Sequence, residues 1–183
     1  MQLAVHSSID RIDPQQWNVL AGEAHPFMRH EFLAALEHTR CVGAERGWQP
    51  CPITLSDAHG LAAAAAVFLK DNSFGEFVFD FAWAEAYARH GLEYYPKLTL
   101  AVPFTPATGP RLLVRAGLDR RALAAQVLEA LDALARERGC SSVHALFLDD
   151  LDREVCAGSG WLLRRDCQFH WRNRGYQSFE QYL

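Results

Sequence analysis

DRRALAAQVLEALDALARERG, residues 119–139, predicts the longest helix of the chain. Its large apolar residues recur every three or four positions and form one stripe: Leu123, Val127, Leu131 and Leu134. Asp119 is a typical N-cap, and Gly139 is a typical residue at which a helix ends. A helix with a single apolar stripe buries it against another layer, and the segments on either side indicate that this layer is a sheet.

Shorter elements alternate between strand and helix patterns along the rest of the chain. The predicted strands are 2–7, 52–56, 61–70, 76–81, 98–102, 111–114, 143–148 and 161–171. The other predicted helices are 14–24, 31–40, 83–90 and 150–157. The turn 57–60 joins two of the strands into an antiparallel hairpin. The pattern predicts an α/β (α+β) fold with a mixed, mostly antiparallel central sheet and helices on both faces.

The segment 76–81 alternates apolar and polar residues. Phe77, Phe79 and Phe81 share one side of the predicted strand, whereas Val78 and Asp80 share the other. Because large aromatic side chains usually fill the core, we expect the phenylalanine face to be buried.

Composition and charge narrow the class of protein. The 183 residues carry a net charge of −4, and only two of the 18 basic residues are lysines, Lys70 and Lys97. No stripe of basic residues indicates DNA binding. The N-terminus lacks the pattern of a secretory signal, and the longest apolar run, Leu61 to Leu69, is nine residues, too short for a membrane span. Five scattered cysteines are typical of reduced thiols, and no metal-binding spacing is present, so we expect a cytoplasmic protein without a metal.

Several stretches of sequence carry a family resemblance, and together they span nearly the whole chain. They are HPFMRHEFLAALE (25–37), GWQPCPITL (47–55), SFGEFVFDFAWAEAYARHGLEYYPKL (73–98), VPFTPATGPRLL (102–113) and CQFHWRNRGYQSFEQYL (167–183). With the order of the elements, they resemble GNAT acyltransferases and, more closely, a bacterial family of FemAB-like proteins related to the aminoacyl transferases of peptidoglycan bridges.

The resemblance implies that 1–183 is a single GNAT-like domain and the first half of a longer tandem protein. Ser178 and Gln181 form a capping-box pattern that announces a helix, with two residues after it, which indicates the same. We therefore expect an exposed apolar surface and association with a second GNAT-like half or with another copy.

The resemblance also implies an acyl donor, either acyl-CoA or an aminoacyl donor. Acetyl-CoA sites in this fold use a glycine-rich turn that leads into a helix N-terminus and holds the pyrophosphate. The matching turn, 103–110, contains three prolines and one glycine and leads into a strand, which disfavours an ordinary acetyl-CoA enzyme. The turn is either a rigid sheet edge or a substrate-lining segment with Thr105, Thr108 and Arg111 as contacts.

Aromatic and acidic residues concentrate in the region 71–104. Trp83, Tyr94 and Tyr95 lie among charged residues that include Asp80 and Lys97, and 71–93 contains five acids and one arginine. A cleft there would favour a small-molecule ligand that carries an amine, although a solvated acidic helix face would have the same composition.

Two histidines on late strands are candidate proton acceptors. His144 lies within 143–148, and His170 shares a strand face with Gln168 and Arg172 because side chains alternate. Either could accept a proton from an attacking amine, and either could equally be a hydrogen-bonded structural residue.

The sequence supports two functions of different classes. The first is an N-acyl or aminoacyl transferase linked to modification of peptidoglycan precursors, with His144, His170 and Asp80 as catalytic residues. The second is a non-catalytic recognition or scaffolding module that completes a cleft with a second half.

Overall fold

The computed structural model describes all residues, 1–183. The strands are β1 (Gln2–Val5), β2 (Gln49–Pro50), β3 (Ile53–Asp57), β4 (Gly60–Ala65), β5 (Val67–Lys70), β6 (Lys97–Leu100), β7 (Leu113–Val114) and β8 (Val143–Ala145). The helices are α1 (Pro14–Ala21), α2 (His30–His38), α3 (Phe81–Arg89), α4 (Arg120–Glu137), α5 (Asp150–Gly158) and α6 (Phe179–Tyr182). None of the helices is long and apolar enough to cross a bilayer.

The strands form two four-stranded sheets, and the chain passes almost directly from β4 of the first sheet to β5 of the second. Their orders are β1-β3-β4-β7 and β2-β5-β6-β8. Only the β6–β8 pair is parallel, and every other pair is antiparallel. The β3–β4 hairpin confirms the prediction that the alanine run belongs to a strand, since Ile53 pairs with Ala65 and Thr54 with Ala64.

Helices cover both faces of the sheets, as predicted. The stripe of α4 packs on one face, against residues such as Val67 and Leu98. Helices α1 and α2 pack on the other face, where Trp17 and Phe68 are buried. Because neighbouring strand residues point to opposite faces, Val67 and Phe68 belong to different cores.

Side-chain caps begin the helices where the sequence predicts them. The carboxylate of Asp13 accepts a hydrogen bond from the backbone N–H of Gln16 at 2.9 Å, at the start of α1. Asp119 accepts one from Ala122 at 3.0 Å, at the start of α4. Ser178 accepts one from Gln181 at 3.4 Å and begins the single turn of α6.

The prediction of a buried phenylalanine face at 76–81 is wrong. Residues 76–80 form no strand, and Phe77, Phe79 and Phe81 are 54%, 67% and 59% exposed. Glu76 and Asp80 are buried instead. The two charged side chains turn inward because they pair with a buried lysine of β6, a partner that no local pattern reveals.

Phe77 also adopts a left-handed backbone conformation, with φ 57°. We expect Phe77→Gly to leave the free energy of unfolding within about 1 kcal/mol of wild type, because glycine relieves the strain while loosening the unfolded chain. Phe68→Ala, which empties a core position, should cost about 3–5 kcal/mol in the same urea titration. A comparable loss in both variants would contradict this account of 76–81.

The predicted final strand, 161–171, is also wrong. The segment pairs with neither sheet, and Leu162 and Phe169 are 95% and 96% exposed. Alternation of apolar and polar side chains is typical of a half-buried strand. A strand also needs a sheet edge whose backbone N–H and C=O groups are free to pair with it.

Candidate functional site

One face of the β5–β6–β8 sheet carries polar side chains in an otherwise apolar interior. Lys70 lies directly opposite Lys97 in the β5–β6 register, and Thr99 lies opposite His144 in the β6–β8 register. Both lysines and Thr99 are fully buried, and His144 is half-buried. Leu98 points to the opposite face, toward α4. The alternation of β6 thus separates a polar face from the main core.

Lys97 is the centre of a buried ion-pair network. Its ammonium donates to Glu76 Oε2 at 2.8 Å and forms a second, shorter contact with Asp80 Oδ2. The Tyr94 hydroxyl donates to the same Asp80 oxygen at 2.8 Å. The chain between β5 and β6 therefore folds back and places Glu76, Asp80 and Tyr94 over the polar face.

His144 extends the network at the edge formed by β8. Its Nε2 lies 3.3 Å from Tyr94 Oη and 3.0 Å from Ser142 Oγ. Because Tyr94 gives its single proton to Asp80, a hydrogen bond from His144 to Tyr94 Oη needs the ring proton on Nε2, which makes Nδ1 the proton acceptor. In the other tautomer, Nε2 accepts a hydrogen bond from the closer Ser142 hydroxyl.

Burial and the Lys97 charge set the protonation of these groups. Burial raises the pKa of Glu76 above its ordinary value, against the charge of Lys97. Burial also acts to raise the pKa of Asp80, but the hydrogen bond and charge of Lys97 outweigh it, and the pKa is lowered. Burial, followed by the hydrogen bond to Asp80, raises the pKa of Tyr94. Burial and the nearby Lys97 lower the pKa of His144 to about 4, so the imidazole is neutral at pH 7.

Lys70 has fewer partners than Lys97. Its ammonium donates to the backbone carbonyl of Phe74 at 3.2 Å and lies 3.8 Å from the centre of the Trp48 ring. No carboxylate lies within 4.0 Å of it, and burial lowers its pKa to about 8. At pH 7 the Lys70 side chain is largely a buried cation held by a carbonyl and a π-face.

The network leaves several buried polar atoms without a partner. They are Glu76 Oε1, Asp80 Oδ1 and Thr99 Oγ1. Burying such atoms without hydrogen bonds costs about 1–3 kcal/mol each, so the site retains unused capacity to bind polar groups. Concentrations of buried, perturbed titratable groups are typical of functional sites.

The lowered pKa of His144 predicts a pH-dependent stability. Folding favours the neutral imidazole of His144. Its contribution to the free energy of unfolding is therefore complete above the ordinary histidine pKa of about 6.5, and it is lost as pH falls through the pKa of about 4 in the folded protein. We expect His144→Gln to lose less stability than wild type between pH 7 and pH 4, by about 2–3 kcal/mol. Urea titrations at both pH values measure the difference, and identical pH slopes would contradict the neutral assignment.

The structure brings four of the residues proposed from sequence into one network: Asp80, Tyr94, Lys97 and His144. Tyr95 borders the network, with its ring 5.0 Å from that of Tyr94. Trp83 lies on the exposed side of α3 and contacts none of the four through a hydrogen bond.

The candidates in the turn 103–110 and after it lie elsewhere. Arg111 is buried and donates to the backbone carbonyls of Leu146 at 3.0 Å and Ala107 at 2.6 Å. Thr105 donates to Pro103 O at 3.1 Å, and Thr108 is exposed. These contacts support the interpretation of the turn as a rigid sheet edge.

The late polar residues lie on the exposed segment that follows α5. Gln168 donates to Pro106 O at 2.7 Å and contacts His170 through its other amide atom at 3.0 Å. Arg172 is exposed, and no hydrogen bond joins these three residues to the Lys97 network. Because no strand forms here, alternation does not set the direction of their side chains.

Sequence reasoning missed Glu76 and Lys70 as site residues. The alternation at 76–81 places Glu76 on a predicted strand, and no local pattern marks Lys70 as more than one of two lysines. A usable signal was present, since both lysines end or begin strands of apolar residues, where a charge needs a buried partner.

The turn and helix that would hold the pyrophosphate of acyl-CoA do not fit that group. The Gly109 N–H donates to Phe147 O at 3.0 Å, and three prolines of 103–110 have no N–H to offer. The Asp119 carboxylate caps the N-terminus of α4 and would repel a phosphate. Arg120 is engaged with Asp152 at 2.6 Å. No group of three or more His, Cys, Asp or Glu residues in 1–183 is arranged to hold a metal ion.

Several solved structures with the same fold are N-acetyltransferases. The ribosomal-protein-alanine N-acetyltransferase of Brucella melitensis biovar Abortus 2308 has a TM-score of 0.57 at 10% identity, covering 94% of this chain and 100% of that chain. Aminoglycoside N-acetyltransferase AAC(6')-Iy in complex with CoA has a TM-score of 0.56 at 12% identity, covering 94% and 95%. The aminoglycoside 6'-N-acetyltransferase AAC(6')-Ig of Acinetobacter haemolyticus has a TM-score of 0.54 at 10% identity, covering 94% and 99%. At these identities the likeness shows the fold, which is that of the GNAT acetyltransferases.

A sequence comparison extends the match to a family. The model of the FemAB-like family, described as peptidoglycan biosynthesis/recognition, matches residues 8–183. No curated protein matches the chain. The expected GNAT-related, FemAB-like membership is thereby confirmed.

Proposed function

The chain belongs to the FemAB-like family, and on this premise we propose that it transfers an acyl or aminoacyl group to an amine of a peptidoglycan precursor. The observation that carries the proposal is the network in which neutral His144 contacts Tyr94, and Tyr94 contacts the Asp80 carboxylate that also holds an alkylammonium, that of Lys97. Such a site offers a carboxylate that can bind the amine of an acceptor and a base that can take the proton lost by its nitrogen during acylation.

His144 is the general base in this proposal. The bound ammonium first gives one proton to the Glu76 carboxylate, whose pKa is raised by burial, and becomes a neutral amine. When this nitrogen attacks the acyl carbon, the C–N bond forms, and the nitrogen becomes acidic. Nδ1 of His144 accepts that proton and returns it to the departing oxygen as the bond between the carbonyl carbon and the leaving group breaks. The contacts from Nε2 to Tyr94 and Ser142 hold the ring in position, so much of the catalysis comes from orientation.

Glu76 and Asp80 are the acceptor-binding groups. The Lys97 ammonium between them demonstrates that the two carboxylates can surround a primary ammonium. Each still has a second oxygen without a partner, Glu76 Oε1 and Asp80 Oδ1. The side-chain amine of a muramyl peptide has the same chemistry as a lysine ammonium.

The donor that we propose is an aminoacyl ester. The family relationship favours it, and the misfit of the 103–110 turn and the capped α4 N-terminus to a pyrophosphate disfavours acyl-CoA. Soluble peptidoglycan precursors and aminoacyl donors are present together in the cytoplasm, where we therefore place the reaction.

The test combines a panel of donors with one acceptor. Total tRNA charged with radiolabelled amino acids, or labelled acetyl-CoA, is incubated with the protein and a soluble UDP-linked muramyl pentapeptide. We expect label to move from tRNA to the pentapeptide, and His144→Gln or Asp80→Asn to slow the transfer by about 10²–10⁴-fold. Glu154→Gln, which removes an exposed ion pair with Arg121, is the matched control and should retain the wild-type rate.

The alternative function has a distinct result. If the pentapeptide binds in calorimetry while neither donor supports transfer, the chain is a recognition module and the transferase proposal fails. Association with a second GNAT-like unit or a second copy stays a prediction, and sedimentation velocity at increasing concentration measures it.

A further inference from the structure

The two lysines of the chain share one buried site although like charges in register repel each other. Lys70 and Lys97 are cross-strand partners, both fully buried, on the same sheet face. Directly opposed residues of an antiparallel pair have Cβ atoms about 5 Å apart, and like charges there are destabilising. If the two lysines only stabilised the fold, apolar residues at these positions would do so at a lower cost in free energy. Replacing buried charges with packed apolar groups is often neutral or stabilising.

The sheet face beneath residues 71–80, here called the acidic segment, carries several hydrogen-bond donors beside the ring of Phe68. Beside the two ammonium groups lies the Thr99 hydroxyl, which is fully buried and has no partner. On the β8 side lies the Tyr94 hydroxyl, whose proton is given to Asp80 and becomes available when that carboxylate leaves. Such a group of donors, with two positive charges, is complementary to an oxyanion.

Two carboxylates of the chain itself lie at this face. Glu76 and Asp80 supply two carboxylates, and both pair with Lys97, which leaves Lys70 with the Phe74 carbonyl. Each carboxylate keeps one buried oxygen without a partner, so neither is fully satisfied where it lies. The segment that carries them buries its charged side chains and exposes Phe77 and Phe79. A well-packed segment usually does the opposite, with aromatic side chains buried and charged ones exposed.

We propose that the Lys70–Lys97 pair is a binding site for a phosphoryl group of the substrate, and that Glu76 and Asp80 occupy this site as internal substitutes until the substrate displaces them. The charges match, since two carboxylates are exchanged either for a terminal phosphoryl group, which carries about −1.5 to −2 at pH 7, or for the two singly charged phosphoryl groups of a nucleotide-linked precursor. A single carboxylate ligand would leave one ammonium without a counter-charge. The Thr99 hydroxyl supplies a further donor to the bound oxyanion.

Displacement would also free the two carboxylates for another cation. In the proposed transfer reaction, that cation is the ammonium of the acceptor, and this part of the inference rests on the proposed function. The phosphoryl site itself does not, because it depends only on the lysines, Thr99 and the internal carboxylates.

Binding of inorganic pyrophosphate to the full chain tests the site directly. By calorimetry we expect Lys70→Met to weaken binding by about tenfold or more, and Glu76→Gln, which removes one internal competitor, to tighten it by a similar factor. Glu154→Gln should bind as wild type does. Orthophosphate and succinate, run in parallel, distinguish a phosphoryl site from a general anion site, and equal affinity for succinate would overturn the phosphoryl assignment.

Hydrogen exchange shows whether the acidic segment moves. The Glu76 N–H donates to Ser73 O at 3.3 Å, and the Phe104 N–H donates to Gly75 O at 3.1 Å. With saturating pyrophosphate we expect both amides to exchange about tenfold faster, because the segment leaves the lysines. Unchanged exchange together with unchanged affinity in Lys70→Met and Glu76→Gln would overturn the inference. These measurements need no catalytic turnover. A negative result in the transfer assay therefore does not affect the phosphoryl-site inference, and a negative result in the binding experiments does not affect the transfer assay.

Discussion

Lys97→Met is expected to lower the free energy of unfolding by about 3–5 kcal/mol, the cost of leaving buried charges without their partner. Glu76 and Asp80 both pair with the Lys97 ammonium, and all three side chains are buried. Methionine has a similar length and fills the space, so the loss reports the charge rather than a cavity. Urea denaturation monitored by circular dichroism measures it.

Two further variants make the Lys97 result specific. Arg121→Met removes a cation from an exposed pair with Glu154 and should cost at most about 1 kcal/mol. Adding Glu76→Gln and Asp80→Asn to Lys97→Met removes the uncompensated charges and should recover part of the loss. If Lys97→Met were as stable as wild type, the carboxylates would have another partner, and the described network would be incorrect.

Asp152→Ala is expected to destabilise the fold by about 3–5 kcal/mol, because this one buried carboxylate of α5 binds both α4 and the segment just before β7. Asp152 accepts hydrogen bonds from the backbone N–H of Arg111 at 2.5 Å and of Leu112 at 2.9 Å. It also pairs with the Arg120 guanidinium at 2.6 Å. Its removal would leave two buried N–H groups without acceptors and loosen the entry to β7.

Neighbouring positions separate this role from a general effect on α5. Asp152→Asn keeps an acceptor and should lose less than alanine does. Asp150→Ala removes an exposed carboxylate, which pairs with Arg153 in the same helix, and should change stability by at most about 1 kcal/mol. Equal losses at 150 and 152 in thermal unfolding would show that α5 is weakened as a whole.

The elements that sequence predicted well are those specified by local chemistry. The α4 helix has its stripe and its Asp119 cap, and the β3–β4 hairpin has its turn at 57–60. Helix periodicity and caps act within a few residues, so they are readable without knowledge of the rest of the chain. The acyltransferase-like architecture followed from the order of these elements and from the family resemblance.

The candidate site was predictable only in part. Lys97, Asp80, Tyr94 and His144 stood out because polar and aromatic residues interrupt an apolar region. Glu76 and Lys70 did not, since their significance depends on partners that are distant in sequence. Alternation at 76–81 described two faces correctly and chose the wrong one as buried, because period two carries no information about which face meets the core.

The positions of the helices and of the β3–β4 hairpin, and the family, were predictable from sequence alone, because each depends on short-range patterns or on stretches of sequence typical of the family. Tertiary structure alone decided that 161–171 stays unpaired and that two carboxylates turn inward to a lysine on β6. The reason is energetic: a buried ammonium needs a counter-charge, and only the folded chain determines which acid can reach it.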